Sequence, residues 1–408
     1  MDNRLQHMLE AGLVIFGDEV DRRRVAEDAV ISAGCKVFGS RTLICPGAEL
    51  GQEAPVTVNN CFVGPQVRLK GGYFENAVFL AGAEAGCGAH VRAGTILEEQ
   101  ASVAHTVGLK QTILFPYVTL GSLINFCDCL MSGGTGRHHH SEVGSSYIHF
   151  NFTPNQDKAT ASLIGDVPRG VMLDQAPIFL GGQGGLVGPC RIAYGTVIAA
   201  GSIYRKDQLQ PDRLVFEGGG GRGGSVPYTT GIYRTVKRQA TNNIIYLANL
   251  VALKIWYALV RRRFVGQGFP QPLYDGLTGT LNTAIDERLK RFVAFCENMN
   301  ESKRRYLAQM GAATADSLIR QKEQLYDHRH QVADVIQAYC EPIDRHRNEA
   351  FMAAIEHEIG RSGCDYLQVI HTLASDDRKE GAAWLQHIVD DVTDRIQSLF
   401  PAIRKAVG

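Results

Sequence analysis

Aliphatic side chains recur every six residues through the first half of the chain. Leu97, Val103 and Leu109 follow Val91 at that interval, and Leu114, Leu120 and Phe126 resume it after a five-residue step. Leu180, Leu186, Ile192 and Ile198 fall six apart again, and Val37, Leu43, Leu50, Val56 and Phe62 keep the spacing with one slip. Small and turn-forming residues lie between them, among them Pro46-Gly47, Gly64-Pro65, Gly82, Gly88 and Gly94. A period of six suits neither an amphipathic helix nor a single alternating strand. It predicts a solenoid of very short strands, each turning one aliphatic side chain inward before a tight corner. A glycine-rich β-sandwich is the competing architecture.

From about residue 233 the pattern changes to that of helices. Ile245, Leu247, Val251, Ile255 and Leu259 make a broad apolar face ended by Arg261-Arg262-Arg263, read as a solvated helix end. The apolar run 244–260 is broken by Asn249 and Lys254, so it reads as a buried helix rather than a membrane span. Further helices are predicted near 276–310, 313–340, 342–361, 364–374 and 378–399. The expected division is an N-terminal helical or irregular segment 1–27, a solenoid 28–207 and a glycine-rich linker 208–232. An α-helical bundle, 233–408, completes it. No catalytic spacing stands out in the bundle, which reads as a packing, oligomerisation or partner-binding unit.

Composition supports this division, since most of the 44 glycines precede residue 232. The 42 basic and 42 acidic residues cancel, which argues against a general nucleic-acid binder. The first residues show no signal-peptide core, and the ten cysteines include no CxxC pair. A cytoplasmic protein with reduced thiols, bound to neither membrane nor nucleic acid, is expected.

The rhythm fails over 127–163, read as an inserted loop carrying Arg137 and four histidines. Function in solenoids is commonly carried on such projections. The coil from Gly195 to Ile203, followed by Tyr204-Arg205-Lys206-Asp207, resembles the closing coil of hexapeptide-repeat acyltransferases. Asn151-Phe152, Lys158, Thr160 and Ile164-Gly165-Asp166, with Ala104-His105 upstream, are similar to one family in particular. That family is the acetyltransferase half of the bacterial bifunctional glucosamine-1-phosphate acetyltransferase/uridyltransferases. The resemblance covers about half of the chain. It implies a left-handed parallel β-helix, a homotrimer with sites between subunits, and acetyl-CoA or another acyl-CoA as co-substrate. The acceptor would be an amino-sugar phosphate or nucleotide sugar. It leaves any nucleotidyltransferase step to a separate partner.

On that resemblance His105 is the general base and Asn151 holds the amino sugar or polarises a reacting group. A histidine suits removal of a proton from an amine attacking a thioester near neutral pH. Lys110, Arg137 and Lys158 could hold a phosphate, with Asn125 and Phe152 as further substrate contacts. Phe152 stands where the family has tyrosine, and Glu98-Glu99 stand where it has basic residues and would repel a phosphate. The glycines Gly182, Gly184 and Gly185, with Ala200, would let a pantetheine arm or a neighbouring subunit approach the backbone.

Two other classes stay open. One is a non-catalytic sugar-nucleotide sensor or scaffold. The other is a metal-dependent enzyme like the γ-class carbonic anhydrases, with His138 and His140 sharing a face as ligands. Their usual histidine spacing is absent, so no metal is expected, and the triplet reads as solvated or phosphate-binding.

Overall fold

Two or three residues of strand before each corner are as much as a six-residue period allows, and that is what the chain builds. The computed structural model describes residues 12–216, 228–310 and 316–404. Parallel strands stack on three faces of a solenoid. The first face includes Ile15–Phe16, Lys36–Phe38, Val56–Asn59, Gly72–Glu75 and Ala89–Val91, and the second Leu43–Ile44, Phe62–Val63, Ala77–Phe79 and Thr95–Leu97. The third carries ten strands, from Val30–Ile31 to Leu214–Val215. Gly108–Leu114 and Asn125–Met131 run through the corner between the first two faces and join them into one 16-stranded sheet. Corner residues such as Gln111 and Asp128 adopt left-handed backbone angles, φ 52° and 59°. The predicted aliphatics point inward, and Val37, Leu50, Val91, Leu97, Leu109, Leu120, Leu180 and Ile198 are all buried.

The solenoid is longer than its sequence rhythm. Ile15–Phe16 already pairs with Lys36–Val37, ahead of residue 28, and Leu214–Val215 pairs with Val197–Ile198, beyond residue 207. Residues 1–11 and most of the glycine-rich stretch, 217–227, lie outside the described residues.

The segment 127–163 is mostly rung rather than loop. Glu142–Val143, Ile148–Phe150 and Ser162–Ile164 all take their places in the parallel sheets. Only the antiparallel hairpin Gly134–Gly136/His139–His140 and the stretch 151–161 leave the coil. The rhythm is lost because His149 occupies an inward position that the next rung fills with Leu186. Its Nδ1–H donates to the Cys127 carbonyl at 2.7 Å, while Nε2 accepts from Ser162 Oγ at 2.8 Å. Ser162 Oγ in turn accepts the Cys190 N–H at 2.9 Å. Every polar atom of this inward imidazole is thus satisfied.

The helical region packs directly on the solenoid. Helix Gln271–Met310 lies along the second face, where Gly276 sits so close to the Phe62 ring that a Cβ there would collide with it. Helix Val236–Leu259 is long and apolar enough to cross a membrane, but 83% of its most apolar window is buried in the protein. It lies between helix Ser375–Ser398 and the solenoid, with contacts to Ser162–Ile164. Its apolar composition is that of a central core helix.

Polar contacts tie the two regions together. Arg261 is buried, ion-paired with Glu99, and stacked 3.7 Å from the Tyr366 ring centroid. The Tyr257 hydroxyl donates to Glu98. Glu98 and Glu99 therefore face the helical region instead of a substrate, and Arg261 is not part of a solvated helix end. Tyr233 donates to Asp157 at 2.5 Å, and Asn243 Nδ2 to the Ala159 carbonyl at 3.0 Å.

Candidate functional site

The corners of the solenoid sort the expected site residues into separate groups. His105 sits on the corner between the third and first faces, exposed, after strand Ser102–Val103. Its Nδ1 lies 2.8 Å from Ser122 Oγ on the next rung, and its carbonyl accepts the Leu123 N–H at 3.1 Å. No hydrogen bond engages Nε2 among the described residues. A Nδ1–H donated to Ser122 leaves the Nε2 lone pair facing outward, the tautomer a general base requires.

Further rungs extend this corner. Ser146 N–H donates to Ser122 O, Gln183 N–H to Ser145 O and Gly201 N–H to Gly182 O, so Gly182 and Ala200 share the His105 corner. Ala200 is exposed and Gly182 partly so, whereas Gly184 and Gly185 are buried. A Cβ at Gly184 would meet the Gly181 and Ser202 carbonyls at 2.8 Å. These two glycines are needed for rung stacking itself.

Asn151, Lys110, Asn125, Phe152 and Lys158 come together elsewhere. They line a cavity of about 240 Å³ at the corner between the first and second faces, with Arg92, Cys127 and Asp128. Three residues of helix Gln271–Met310 complete it: Glu287, Arg288 and Arg291. Asn151 Nδ2 donates to Asp128 Oδ2 at 2.7 Å, and Thr160 Oγ1 donates to the Asn151 carbonyl at 2.8 Å. Asp128 Oδ1 is 2.7 Å from Arg288 Nη2. Phe152 is 70% exposed, so its ring offers a contact surface at the mouth rather than a core contact. Burial pushes the Cys127 thiol up, with the Asp128 charge adding to it, so the sulfur lining the cavity is protonated.

Arg137 is not in this group. It lies at the third corner, where Nη1 donates to the carbonyls of Gln100 at 2.8 Å and Tyr117 at 3.1 Å. It caps backbone acceptors of the coil. His138 is exposed at the hairpin turn, His139 Nδ1 is 3.0 Å from Thr135 Oγ1, and His140 Nδ1 is 3.3 Å from the Ser141 carbonyl. Among the described residues no three His, Cys, Asp or Glu side chains are placed to hold a metal ion.

Ser122, Arg92, Asp128, Arg288 and Arg291 were not singled out from the sequence. Ser122 and Asp128 carry a readable signal, since Ser122 lies one rung after His105 and Asp128 one rung before Asn151. The two helical arginines sit among many surface charges and carry none.

No protein-family profile matches the chain. Three relatives called bifunctional protein GlmU are similar to part of it. The protein from Pelobacter propionicus is 27% identical over 184 residues, 45% of this chain and 35% of its own length. That from Thermotoga petrophila is 24% identical over 209 residues, 50% and 42% of the two chains, and that from Thermotoga maritima 25% over 171 residues, 42% and 36%. The chain thus spans less than half the length of these relatives. Taken with the parallel solenoid, this similarity identifies the chain as one that resembles the hexapeptide-repeat acetyltransferase half of GlmU.

Proposed function

We propose that the protein is an acyl-CoA-dependent acyltransferase, with acetyl as the acyl group, acting on the amine of an amino-sugar phosphate or nucleotide sugar. The observation that carries this reading is His105: exposed on a coil corner, oriented by Ser122, with Nε2 unengaged. The acceptor nitrogen attacks the thioester carbonyl while its proton passes to Nε2. The C–S bond then breaks, and the thiolate leaves and takes the proton, giving an amide and free CoA thiol. Lys110 and Lys158 would hold the phosphate, and Gly182 and Ala200 border the path of the CoA arm.

His105 and Asn151 lie on neighbouring corners of one face, so a site using both combines two copies of the chain. An apolar ladder supports such an assembly. Phe179, Val197 and Leu214 are in register on the third face and are 38%, 38% and 66% exposed. A cyclic trimer of left-handed solenoids would cover it and bring the His105 corner of one subunit toward the Asn151 cavity of the next. The proposed compartment is the cytoplasm. Incubation with acetyl-CoA and amino-sugar phosphates, following thiol release, tests the reading.

One observation favours a second reading, a non-catalytic sugar-nucleotide binder. Asn151 commits its amide N–H to Asp128, and Phe152 offers no hydroxyl. Binding of a sugar nucleotide without any binding of CoA would favour it.

A further inference from the structure

The cavity at the Asn151 corner holds more positive charge than its carboxylates balance. Five cationic side chains line it, against Asp128 and Glu287. Arg288 pairs with Asp128 at 2.7 Å and Arg291 with Glu287 at 2.6 Å. Arg92, Lys110 and Lys158 have no carboxylate partner among the described residues, so three charges are unmatched. Arg288 adds a directional element. Its side chain is only 4% exposed, and its Nε and Nη1 have no hydrogen-bond partner among the described residues. A buried guanidinium with two unused donors is costly unless a ligand accepts from them.

A phosphoryl group matches these features. It brings close to two negative charges and three acceptor oxygens, and its geometry suits the guanidinium fork. A neutral sugar would leave both the charge excess and the Arg288 donors uncompensated. Building on the phosphorylated acceptor of the proposed function, we infer that helix Gln271–Met310 reads the phosphoryl group through Arg288 and Arg291. The helical region is then part of the substrate site, adding the unpartnered Arg288 donors to the three unmatched cations of the solenoid. That the carrier is an amino sugar rests on the proposed function; the phosphoryl group rests on the charges and donors of the cavity.

Calorimetric titration of the full-length protein without CoA tests this. The probes are inorganic phosphate, glucosamine 1-phosphate, UDP-glucosamine and glucosamine. Phosphate and the phosphorylated sugars should bind, with glucosamine weaker by at least about tenfold. Arg291→Gln and Arg288→Lys should each weaken glucosamine 1-phosphate by about tenfold, while the remote surface change Lys36→Gln leaves it unaltered. Tighter binding of glucosamine 1-phosphate than of UDP-glucosamine assigns the site to a monoester, and the reverse order to a diphosphate. Arg288→Lys keeps a cation beside Asp128; should it still fail to fold, Arg291→Gln decides. Wild-type protein that binds none of the phosphate probes, or variants that bind them as wild type does, would overturn the inference. Phosphate binding that depends on these arginines without acyl transfer would instead sink only the proposed reaction.

Discussion

Arg288 and Asp128 form an ion pair at 2.7 Å, with only 4% and 5% of the two side chains exposed, and it joins the helical region to a solenoid corner. Asp128 also accepts from Asn151, so one carboxylate both balances a buried arginine and orients a site amide. Asp128→Ala leaves the guanidinium buried without a counter-charge and should cost about 3–5 kcal/mol. Paired with Arg288→Met, it should recover a large part of that loss. Urea denaturation of the two single variants and the double variant checks this, and additive losses would show that the residues do not interact.

His105 is exposed, as is its side-chain hydrogen bond to Ser122, so His105→Ala should leave the melting temperature within about a degree or two of wild type. Acyl transfer should fall about 10²–10⁴-fold. Ser122→Ala should reduce kcat less, because it removes only the group that orients the ring. Equal turnover in wild type and His105→Ala would remove the histidine from the mechanism.

Glu98 yields a pH dependence with a defined sign. Burial and the neighbouring Glu99 charge push its carboxyl up to about 7, with Arg261 and the Tyr257 hydroxyl opposing in part. The folded protein therefore holds a proton that the unfolded chain has lost, and this group's contribution to stability declines as pH rises from about 4.5 to about 7. Glu98→Gln keeps an acceptor for Tyr257 and should add roughly 1–3 kcal/mol at pH 8, with little gain at pH 4.5. Denaturation at the two pH values separates this from a pH-independent effect.

His149 acts in the opposite sense. Burial lowers its imidazole to about 4, against an ordinary value of 6.5. In the window between those values the unfolded chain takes up a proton that the folded protein refuses, so stability falls as pH drops from 6.5 toward 4. The loss should reach roughly 2–3 kcal/mol in wild type and be missing from His149→Leu. Parallel pH–stability curves for the two proteins would contradict the assignment.

The exposed ladder of Phe179, Val197 and Leu214 sets a further expectation. Sedimentation should give a species of three times the 44.6 kDa chain mass. Val197→Glu, at a position already 38% exposed, should shift it toward the monomer and lower activity before the solenoid melts. An active, monodisperse monomer of the wild-type chain would exclude a site shared between subunits.

The solenoid was legible because each short strand turns an aliphatic side chain inward, and Val91, Leu97, Val103 and Leu109 repeat that choice without a break. It became illegible where chemistry replaced the pattern. His149 takes an inward place through two satisfied hydrogen bonds, which composition does not announce, and a segment that carries strands of the coil therefore reads as an insertion. Lys110, Asn125, Asn151, Phe152 and Lys158 were reached through the family resemblance and the chemistry of a sugar phosphate, and they line one cavity. Arg137 shares their chemistry but caps corner carbonyls, a role fixed by tertiary contact. Glu99 and Arg261 are 162 positions apart, and nothing local to either residue signals the other.

Release of free thiol from acetyl-CoA in the presence of glucosamine 1-phosphate tests the central claim most directly. Thiol release that requires the amino sugar, yields the N-acetylated product and is lost in His105→Ala is the predicted result. No thiol release with any amino-sugar phosphate or nucleotide sugar, together with no calorimetric binding of CoA, would contradict it.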